Sequence, residues 1–180
     1  MPVQLQQVVS DASGGVRAEE ILAAYDANER DLFGFVLAVT RDAGTAEDLV
    51  QETFLRLVRE AQAGCYPDNP RSWLYRVAVN LARGRARRRL VAERWRHLFV
   101  TRDVARSPED ELVGREQADI LRGALAELST DERMAFLLAT DGHSGQEVAA
   151  LIGRSEGATR TLLWRARRDL RRHLEREGNA

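Results

Sequence analysis

The chain has 180 residues, 44% of them hydrophobic, which suits one or two small domains. No run approaches the roughly 18 apolar residues of a membrane span, and we expect no signal peptide, because the first residues lack a positive segment followed by an apolar one. One cysteine, Cys65, excludes an internal disulfide, and three dispersed histidines leave little material for a metal site or histidine-based catalysis. We therefore expect a cytoplasmic protein that is not an enzyme and uses no cofactor.

The net charge of −1 hides an alternation of acidic and basic blocks. Residues 71–102 carry ten arginines and one acid, and residues 150–180 carry eight arginines and four acids. Residues 1–64 and 103–149 each carry eleven acids, against five and four arginines respectively. The two basic blocks either contact a polyanion or form solvated helix faces that balance the acidic blocks within one fold. Charge alone leaves both interpretations open.

The chain begins with a polar stretch, residues 1–16, which we expect to be frayed. A first helix is predicted over residues 18–40, and Asp42-Ala43-Gly44 is expected to break it. Its apolar residues recur at helical spacing and are expected to be buried. They are Ile21, Leu22, Tyr25, Leu32, Phe33, Val36 and Leu37.

Thr45 is predicted to cap a second helix over residues 46–62, with Asp48 in a position typical of a capping box. The apolar face of this helix holds Val50, Phe54, Leu57 and Val58. The opposite face presents Asp48, Gln51, Glu52 and Leu55 together. An acidic, amide-bearing face with one leucine favours a protein partner with a basic surface, and an ordinary solvated face is the alternative.

A third helix is predicted from about residue 71 to residue 89, after a loop over residues 64–70. One face combines an aromatic ring, an amide and guanidinium groups: Trp73, Arg76, Asn80, Arg83 and Arg87. The other face is apolar: Leu74, Val77, Ala78 and Leu81. Aromatic rings stack on exposed bases, amides hydrogen-bond to base edges, and guanidinium groups hold phosphates, so the first face suits nucleic acid. A core tryptophan followed by solvated arginines is the alternative.

The loop before this helix, Tyr66 to Asn69, offers polar groups that can line a pocket for an unstacked base. The loop also holds Cys65. Its thiol is compatible with sensing oxidation, although a lone loop cysteine is more often inert.

The helical periodicity weakens between the two halves of the chain. Ser107-Pro108 favours a break, and Glu109-Asp110-Glu111 follows as a solvated charge run. We predict a linker over residues 91–115. Its first part, with Trp95, Leu98 and Phe99, is too apolar for pure coil and either continues a helix or packs on another segment.

Capping residues and helix-ending glycines predict further helices in the C-terminal half. The first covers residues 112–127. Ser129-Thr130-Asp131-Glu132 is a capping box that opens the next helix, which ends at Asp141-Gly142. That helix is expected to bury Met134, Leu137 and Leu138.

The strongest local pattern, over residues 144–172, predicts a helix-turn-helix. Ser144-Gly145-Gln146-Glu147 is a second capping box, which opens a short helix. Gly153 ends that helix, since glycine tolerates the left-handed conformation. Ser155 is predicted to cap the last helix, over residues 156–175.

The outward and inward faces of the last helix differ in chemistry. Ser155, Glu156, Arg160, Thr161, Trp164 and Arg165 are predicted to face outward. Leu163, Ala166 and Leu170 are predicted to face inward, and the small Ala149 permits close helix packing. A helix fits the major groove of DNA, where residues near its N-terminus reach base edges. The following arginines suit phosphates: Arg167, Arg168, Arg171 and Arg172. A helical hairpin with a basic tail is the alternative.

In this order, these patterns resemble the bacterial RNA polymerase sigma factors of the extracytoplasmic-function (ECF) group. The most specific stretch is Ala46–Leu57 (AEDLVQETFLRL), and Pro70–Ala82 (PRSWLYRVAVNLA) is nearly as specific. Leu125–Leu128 and Ser155–Leu170 complete the match. The resemblance implies an all-α fold of two small helical domains joined by a flexible linker. Its segments are a disordered tail (1–17), a region 2 domain (18–90), the linker (91–115) and a region 4 domain (116–176).

The resemblance also implies partners and roles. Asp48, Gln51, Glu52 and Leu55 would dock on core RNA polymerase, whose β′ clamp and β flap are the expected contacts. The −10 element would be recognised and melted, with one base flipped, by Tyr66, Asp68, Asn69, Trp73, Arg76, Asn80, Arg83 and Arg87. The −35 element would be recognised as duplex by Ser155, Glu156, Arg160, Thr161, Trp164, Arg165 and Arg168. The linker would run toward the RNA exit path. An anti-sigma factor is an expected partner. No membrane insertion is expected.

Two other classes of protein fit less of the sequence. A plain helix-turn-helix regulator, which binds duplex DNA alone, would use residues 144–172 and leave residues 46–57 and 71–89 unexplained. An enzyme would need a paired catalytic constellation or a glycine-rich phosphate loop, and the sequence offers neither.

Overall fold

The computed structural model describes residues 16–96 and 115–177, which are almost wholly α-helical. The helices are α1 (Val16–Thr40), α2 (Ala43–Gln62), α3 (Pro70–Arg96), α4 (Arg115–Glu127), α5 (Thr130–Thr140), α6 (Gly145–Ile152) and α7 (Glu156–Glu177). Neither described range contains a strand, and the all-α prediction is confirmed. The chain divides into two compact units, with the division inside α3 between Ala82 and Arg83. The predicted N-terminal tail up to residue 15, and residues 97–114 of the predicted linker, lie outside the described residues.

The first unit is built from the apolar faces of α1, α2 and the start of α3. Aromatic contacts join the three helices. The Tyr25 ring of α1 lies 4.7 Å from the Phe54 ring of α2, and Phe35 of α1 lies 5.3 Å from Tyr75 of α3, centroid to centroid. The residues of this unit without any solvent exposure are Leu32, Val36, Ala46, Thr53, Phe54, Leu57, Val58, Leu74, Ala78 and Val79. Their burial is the main source of stability for this unit.

The buried face of α1 is narrower than its apolar pattern predicts. Leu22 is 37% exposed, and Phe33 and Leu37 are half-buried. Phe35 and Val39 are buried instead, at 7% and 4% exposure. The apolar residues of α1 span more of the helix circumference than its packing partners cover, so the edges of the stripe remain in contact with water.

The prediction that Thr45 caps α2 is wrong. Arg41 leaves α1 in the left-handed conformation, with φ of 59°, and its N–H donates to the Leu37 carbonyl at 2.7 Å. Asp42 is the N-cap, because its Oδ1 accepts a hydrogen bond of 2.7 Å from the Thr45 N–H. Ala43 and Gly44 therefore form the first turn of α2 rather than a break.

The second unit packs α7 against α4, α5 and α6. Ala124, Leu125 and Leu128 of α4 pack with Ala166 and Leu170 of α7. Fully buried side chains of α5 and α6 complete the core: Met134, Leu138, Val148 and Ile152. Leu137, predicted as core, is half-buried and packs at the edge of this cluster.

Local capping signals in the second unit are confirmed. The hydroxyls of Ser129 and Ser144 each accept from the backbone N–H three residues later, and the carboxylates of Glu132 and Glu147 return a bond to the serine N–H. Gly153 ends α6 in the left-handed conformation, with φ of 60°. These bonds satisfy N–H groups that the first turn of a helix leaves without partners.

Arg133 is a buried cation that the sequence patterns do not predict. Only 5% of the residue is exposed. Its Nε donates to the Leu125 carbonyl at 2.6 Å, and one terminal nitrogen donates to the Leu128 carbonyl at 2.8 Å. These acceptors lie at the C-terminal end of α4, where carbonyls lack helical partners and the helix dipole favours a positive charge. Arg133 of α5 therefore holds the C-terminal end of α4 by hydrogen bonds.

Replacing Arg133 with methionine is expected to lower the free energy of unfolding of the second unit by about 2–4 kcal/mol, because the freed carbonyls stay buried without donors. Urea denaturation of the whole chain measures the loss, and hydrogen exchange assigns it to residues 115–177. Arg167→Met, at an exposed position of α7, is the matched control with little expected effect. Equal stability of the two variants would contradict this role for Arg133.

Candidate nucleic-acid and protein interfaces

The polar stripe predicted on α3 lies on the solvent side of that helix. Arg76, Asn80 and Arg87 are exposed, whereas Trp73 is half-buried. The rotation of α3 matches the prediction, because Leu74 and Ala78 of the opposite face are buried, whereas Val77 and Leu81 of that face are half-buried. The sequence left open whether Trp73 is a core residue or is available to stack on a base. Trp73 is half-buried, so it packs in part and remains accessible in part. The stripe presents an amide, cations and part of an aromatic ring to a ligand.

Arg83 belongs to this stripe in sequence but has a protein partner. Its guanidinium donates to Asp131 Oδ1 through Nε at 3.1 Å and a terminal nitrogen at 3.0 Å, within the second unit. Arg154 donates to the other carboxylate oxygen of Asp131 at 2.7 Å. Burial acts to raise the pKa of Asp131, but the hydrogen bond from Arg154 and the charge of Arg83 outweigh it and lower the pKa. The negative charge of Asp131 thus partly compensates the positive charges of both Arg83 and Arg154.

Two of the loop residues predicted to contact DNA have bonds that hold the loop itself. The Tyr66 hydroxyl donates to the Glu20 carbonyl at 3.1 Å, and burial, reinforced by the Glu20 charge, raises the pKa of that phenol. Asn69 Oδ1 accepts from the Ser72 N–H at 3.0 Å, which makes Asn69 a cap for α3. Asp68 is exposed between them. The loop is therefore tied to α1 and α3, with Asp68 facing solvent.

The predicted protein-binding face of α2 brings its four residues together on one side of the helix. Asp48 is exposed, and Gln51, Glu52 and Leu55 are half-buried. Glu52 Oε1 pairs with Arg56 at 2.8 Å and with Arg59 at 3.5 Å. The negative charge of this face therefore resides mainly on Asp48, beside an amide and an apolar side chain.

Helices α6 and α7 form the predicted helix-turn-helix. After the left-handed Gly153, the Arg154 N–H donates to the Ala149 carbonyl at 3.0 Å. Ala149 is 3% exposed, and its small side chain permits close approach of the helices. Thr159 of α7 is 1% exposed, and its hydroxyl donates to the Ser155 carbonyl at 3.0 Å. The hydroxyl is satisfied within its own helix, so a polar residue fits at this buried position.

The outward face of α7 agrees with the prediction. Its exposed residues are Ser155, Glu156, Arg160, Thr161, Trp164 and Arg165. Trp164, at 61%, is the most exposed of the large hydrophobic side chains that the structure describes. Arg168 is half-buried, bonds to Asp169 and lies over the Trp164 ring. This face matches the dimensions of a helix inserted into a major groove.

The sequence patterns missed the cluster that orients the start of α3. Arg71 lies 5.3 Å from the centroid of the Tyr75 ring and pairs with Asp31 of α1 at 3.4 Å. Tyr75 itself is only 1% exposed, although it was absent from the predicted apolar face. In the sequence, the available signals were Pro70, a residue that suits the first position of a helix, and the four-residue spacing of Arg71 and Tyr75. Neither signal indicates the long-range pairing of Arg71 with Asp31.

The described ranges lack two other kinds of feature, a cluster of metal-ligating side chains and a membrane-spanning helix. No three histidine, cysteine or acidic residues there are grouped so as to hold a metal ion. None of the helices in those ranges has the length and hydropathy to cross a bilayer.

Comparison with known proteins identifies both halves of the chain. The family model "Sigma-70 region 2" matches residues 24–90, and "Sigma-70, region 4" matches residues 118–170. The ECF RNA polymerase sigma factor SigL of Mycobacterium tuberculosis is 32% identical over 174 residues, which cover 92% of this chain and 96% of SigL. The ECF sigma factor SigX of Bacillus subtilis is 26% identical over 158 residues, covering 84% of this chain and 81% of SigX.

Solved structures agree with this assignment. The sigma factor RpoE of Bartonella quintana, crystallised with the anti-sigma factor NepR, gives a TM-score of 0.67 at 26% identity and covers 87% of this chain and 95% of its own. CnrH, solved with the cytosolic domain of CnrY, shares the fold with a TM-score of 0.62 at 23% identity, over 95% of this chain and 94% of CnrH. The two matched regions, together with 32% identity to SigL over nearly the whole of both chains, show that the chain belongs to the ECF group of RNA polymerase sigma factors.

Proposed function

We propose that this chain binds core RNA polymerase, recognises −10 and −35 promoter elements, melts the −10 region and initiates transcription of a specific set of genes. One observation carries the proposal. Two helices, α3 and α7, bury an apolar side and leave a side with exposed cations and hydrogen-bonding groups beside a tryptophan, which is half-buried in α3 and exposed in α7. The assigned segments are region 2 over residues 18–90, a linker over 91–115, whose first six residues continue α3, and region 4 over 116–176.

Recognition of the −35 element is assigned to α7. Its N-terminal half presents Arg160, Thr161 and Arg165 at spacing that places them on one side of the helix. Arginine forms bidentate bonds with guanine in the major groove, and hydroxyls bond to several base edges. The exposed arginines further along α7 suit phosphates and fix the register of the helix: Arg167, Arg171 and Arg172.

Recognition and melting of the −10 element are assigned to α3 and the loop before it. Trp73, Arg76, Asn80 and Arg87 supply the contacts, with Asp68 at the exposed part of the loop. Opening DNA costs about 1.4 kcal/mol of stacking per base-pair step. Stacking a released base on an aromatic side chain returns about 1–3 kcal/mol. Capture of one released base therefore offsets the stacking lost at about one or two base-pair steps.

Docking on the polymerase β′ clamp is assigned to the α2 face with Asp48 and Leu55, flanked by Gln51 and Glu52. An exposed carboxylate beside an apolar side chain suits a basic surface with an apolar centre. Region 4 would contact the β flap. The structure of RpoE with NepR supports a further proposal, that an anti-sigma factor covers these polymerase-binding faces in this chain.

Transcription from a defined promoter tests the function. The purified chain is mixed with core polymerase, and runoff products are sequenced from promoters that respond to its overexpression. A sigma factor is expected to bind core and produce runoff transcripts with a common −10 and −35 pattern. Binding to duplex DNA without any association with core would instead support a simple helix-turn-helix regulator.

Asp48→Arg is expected to weaken core binding by roughly 10- to 100-fold, because a cation then faces a basic partner surface. Surface plasmon resonance with immobilised core measures the dissociation constant. Asp26→Arg makes the same charge change at an exposed position of α1 and serves as the control. Equal binding by both variants would remove Asp48 from the interface.

Asn80→Ala is expected to reduce the open-complex population by up to about tenfold while core binding is retained, because one amide–base hydrogen bond is lost. Permanganate reactivity of −10 thymines measures the opening. Gln62→Ala, an exposed amide near the end of α2, is the control. Full opening by the Asn80→Ala protein would count against the −10 assignment.

Arg160→Ala is expected to cost about 1–3 kcal/mol of discrimination at one −35 base pair, as loss of a bidentate base contact does. Arg172→Ala is expected to weaken binding to all sequences evenly and to lower the salt slope by about one. Fluorescence anisotropy of the holoenzyme on duplexes of varied −35 sequence separates the two patterns. A uniform effect of Arg160→Ala would reassign that side chain to a phosphate.

A further inference from the structure

Trp164 lies in the middle of the outward face of α7 and is 61% exposed. Arg160, Trp164 and Arg168 follow one another at intervals of four, so they form one row along the helix. Side chains on a helix lean toward its N-terminus, and each member of the row therefore lies over the turn before it. Arg168 leans onto Trp164, and Trp164 leans toward the turn that carries Arg160.

The guanidinium of Arg168 is held in place from two sides. It lies 5.1 Å from the centroid of the Trp164 ring. Nε and a terminal nitrogen donate to the two carboxylate oxygens of Asp169 at 2.8 and 3.1 Å. Neighbouring residues on a helix do not face each other, so Arg168 bends sideways to make this bidentate contact. A planar guanidinium can fork to a carboxylate and stack on a ring at the same time.

The charge of Arg168 is compensated by nearby carboxylates. The hydrogen bond with Asp169 raises the pKa of Arg168, and the charges of Asp169 and Glu132 add to the effect. The same bond lowers the pKa of Asp169. A cation whose charge is compensated in this way, and two of whose nitrogens already donate to Asp169, is poorly suited to a DNA phosphate. The structure thus favours a different role for Arg168 from the direct −35 contact predicted from the sequence.

The arrangement orders the indole before any ligand is present. One region of the ring is covered by Arg168, and 61% of the residue remains exposed. An ordered aromatic side chain loses little conformational entropy on binding. In the major groove, the apolar feature of the base edges is the C5-methyl group of thymine.

We propose that Arg168 and Asp169 are positioning residues that hold the Trp164 indole for an apolar contact with the C5-methyl group of one thymine in the −35 element. The inference rests on the proposed function and deepens it, because it names the base that this part of α7 selects. Burying one methyl group contributes about 0.8 kcal/mol, and neighbouring ring contacts add to this. A preference of about three- to tenfold for thymine at that position is expected.

The experiment uses holoenzyme reconstituted from the full chain and core polymerase. Promoter duplexes with a randomised −35 element are selected by the wild-type protein and by Trp164→Ala, Arg168→Met and Asp169→Asn variants. Glu175→Gln, which neutralises another carboxylate of α7, is the matched control for Asp169→Asn. All three test variants are expected to lose the thymine preference at one shared position, whereas Glu175→Gln retains it.

Two further measurements separate positioning from other roles. Uracil in place of the selected thymine removes only the methyl group, and it is expected to weaken wild-type binding about three- to tenfold without affecting Trp164→Ala. The salt slope of Arg168→Met is expected to equal that of the wild type. A slope smaller by about one would identify Arg168 as a phosphate contact and overturn the proposal.

The outcomes also distinguish this inference from the proposed function. A wild-type holoenzyme that selects no −35 sequence would defeat the proposed function, and this inference with it. Selection of a −35 sequence, with thymine preference unchanged in Trp164→Ala or with no uracil effect, would overturn this inference alone. Loss of the preference in Trp164→Ala but not in Asp169→Asn or Arg168→Met would leave no positioning role for the pair.

Discussion

Burial of Leu74, Ala78 and Val79 sets the rotation of α3, and with it the direction in which the polar stripe of that helix points. Full burial of an aliphatic side chain contributes about 1.5–3 kcal/mol, whereas an exposed ion pair contributes at most about 1 kcal/mol. The apolar face therefore decides the orientation, and the polar face follows. The contact between Phe35 and Tyr75 extends the same core toward the start of the helix.

The same constraint acts in the second unit, where small side chains are as important as large ones. Ala166 and Leu170 bury the inner face of α7 against α4, and Ala149 lets α6 approach closely. Gly153 supplies the left-handed backbone between α6 and α7 without a Cβ penalty. The angle between α6 and α7 is thus set by packing and by one turn, before any ligand contributes.

The basic blocks of the sequence overstate the number of arginines available for DNA. Arg83 and Arg154 share the carboxylate of Asp131, and Arg168 is held by its neighbouring aspartate. One interpretation of the charge pattern, that arginines balance acids within the fold, is therefore confirmed for these three residues, and contact with a polyanion stays a prediction for the others. Some arginines balance acids within the fold, and others remain on outward faces, where a polyanion can approach.

The sequence alone was sufficient to predict the helices, the caps at Ser129 and Ser144, the turn at Gly153 and the outward face of α7. These features depend on residues within about one turn of each other, so local spacing specifies them. The sequence could not decide between neighbouring residues that can each cap a helix. Asp42 rather than Thr45 caps α2, because the chain turns at Arg41.

Only the tertiary structure decided which polar side chains are committed to the fold. Tyr66 bonds to a carbonyl 46 residues away, and Arg154 bonds to a carboxylate 23 residues away. Such partners leave no periodic trace in the sequence, and a long arginine side chain reaches in several directions from one backbone position. Whether a given arginine contacts DNA or protein is therefore settled by what packing places within its reach.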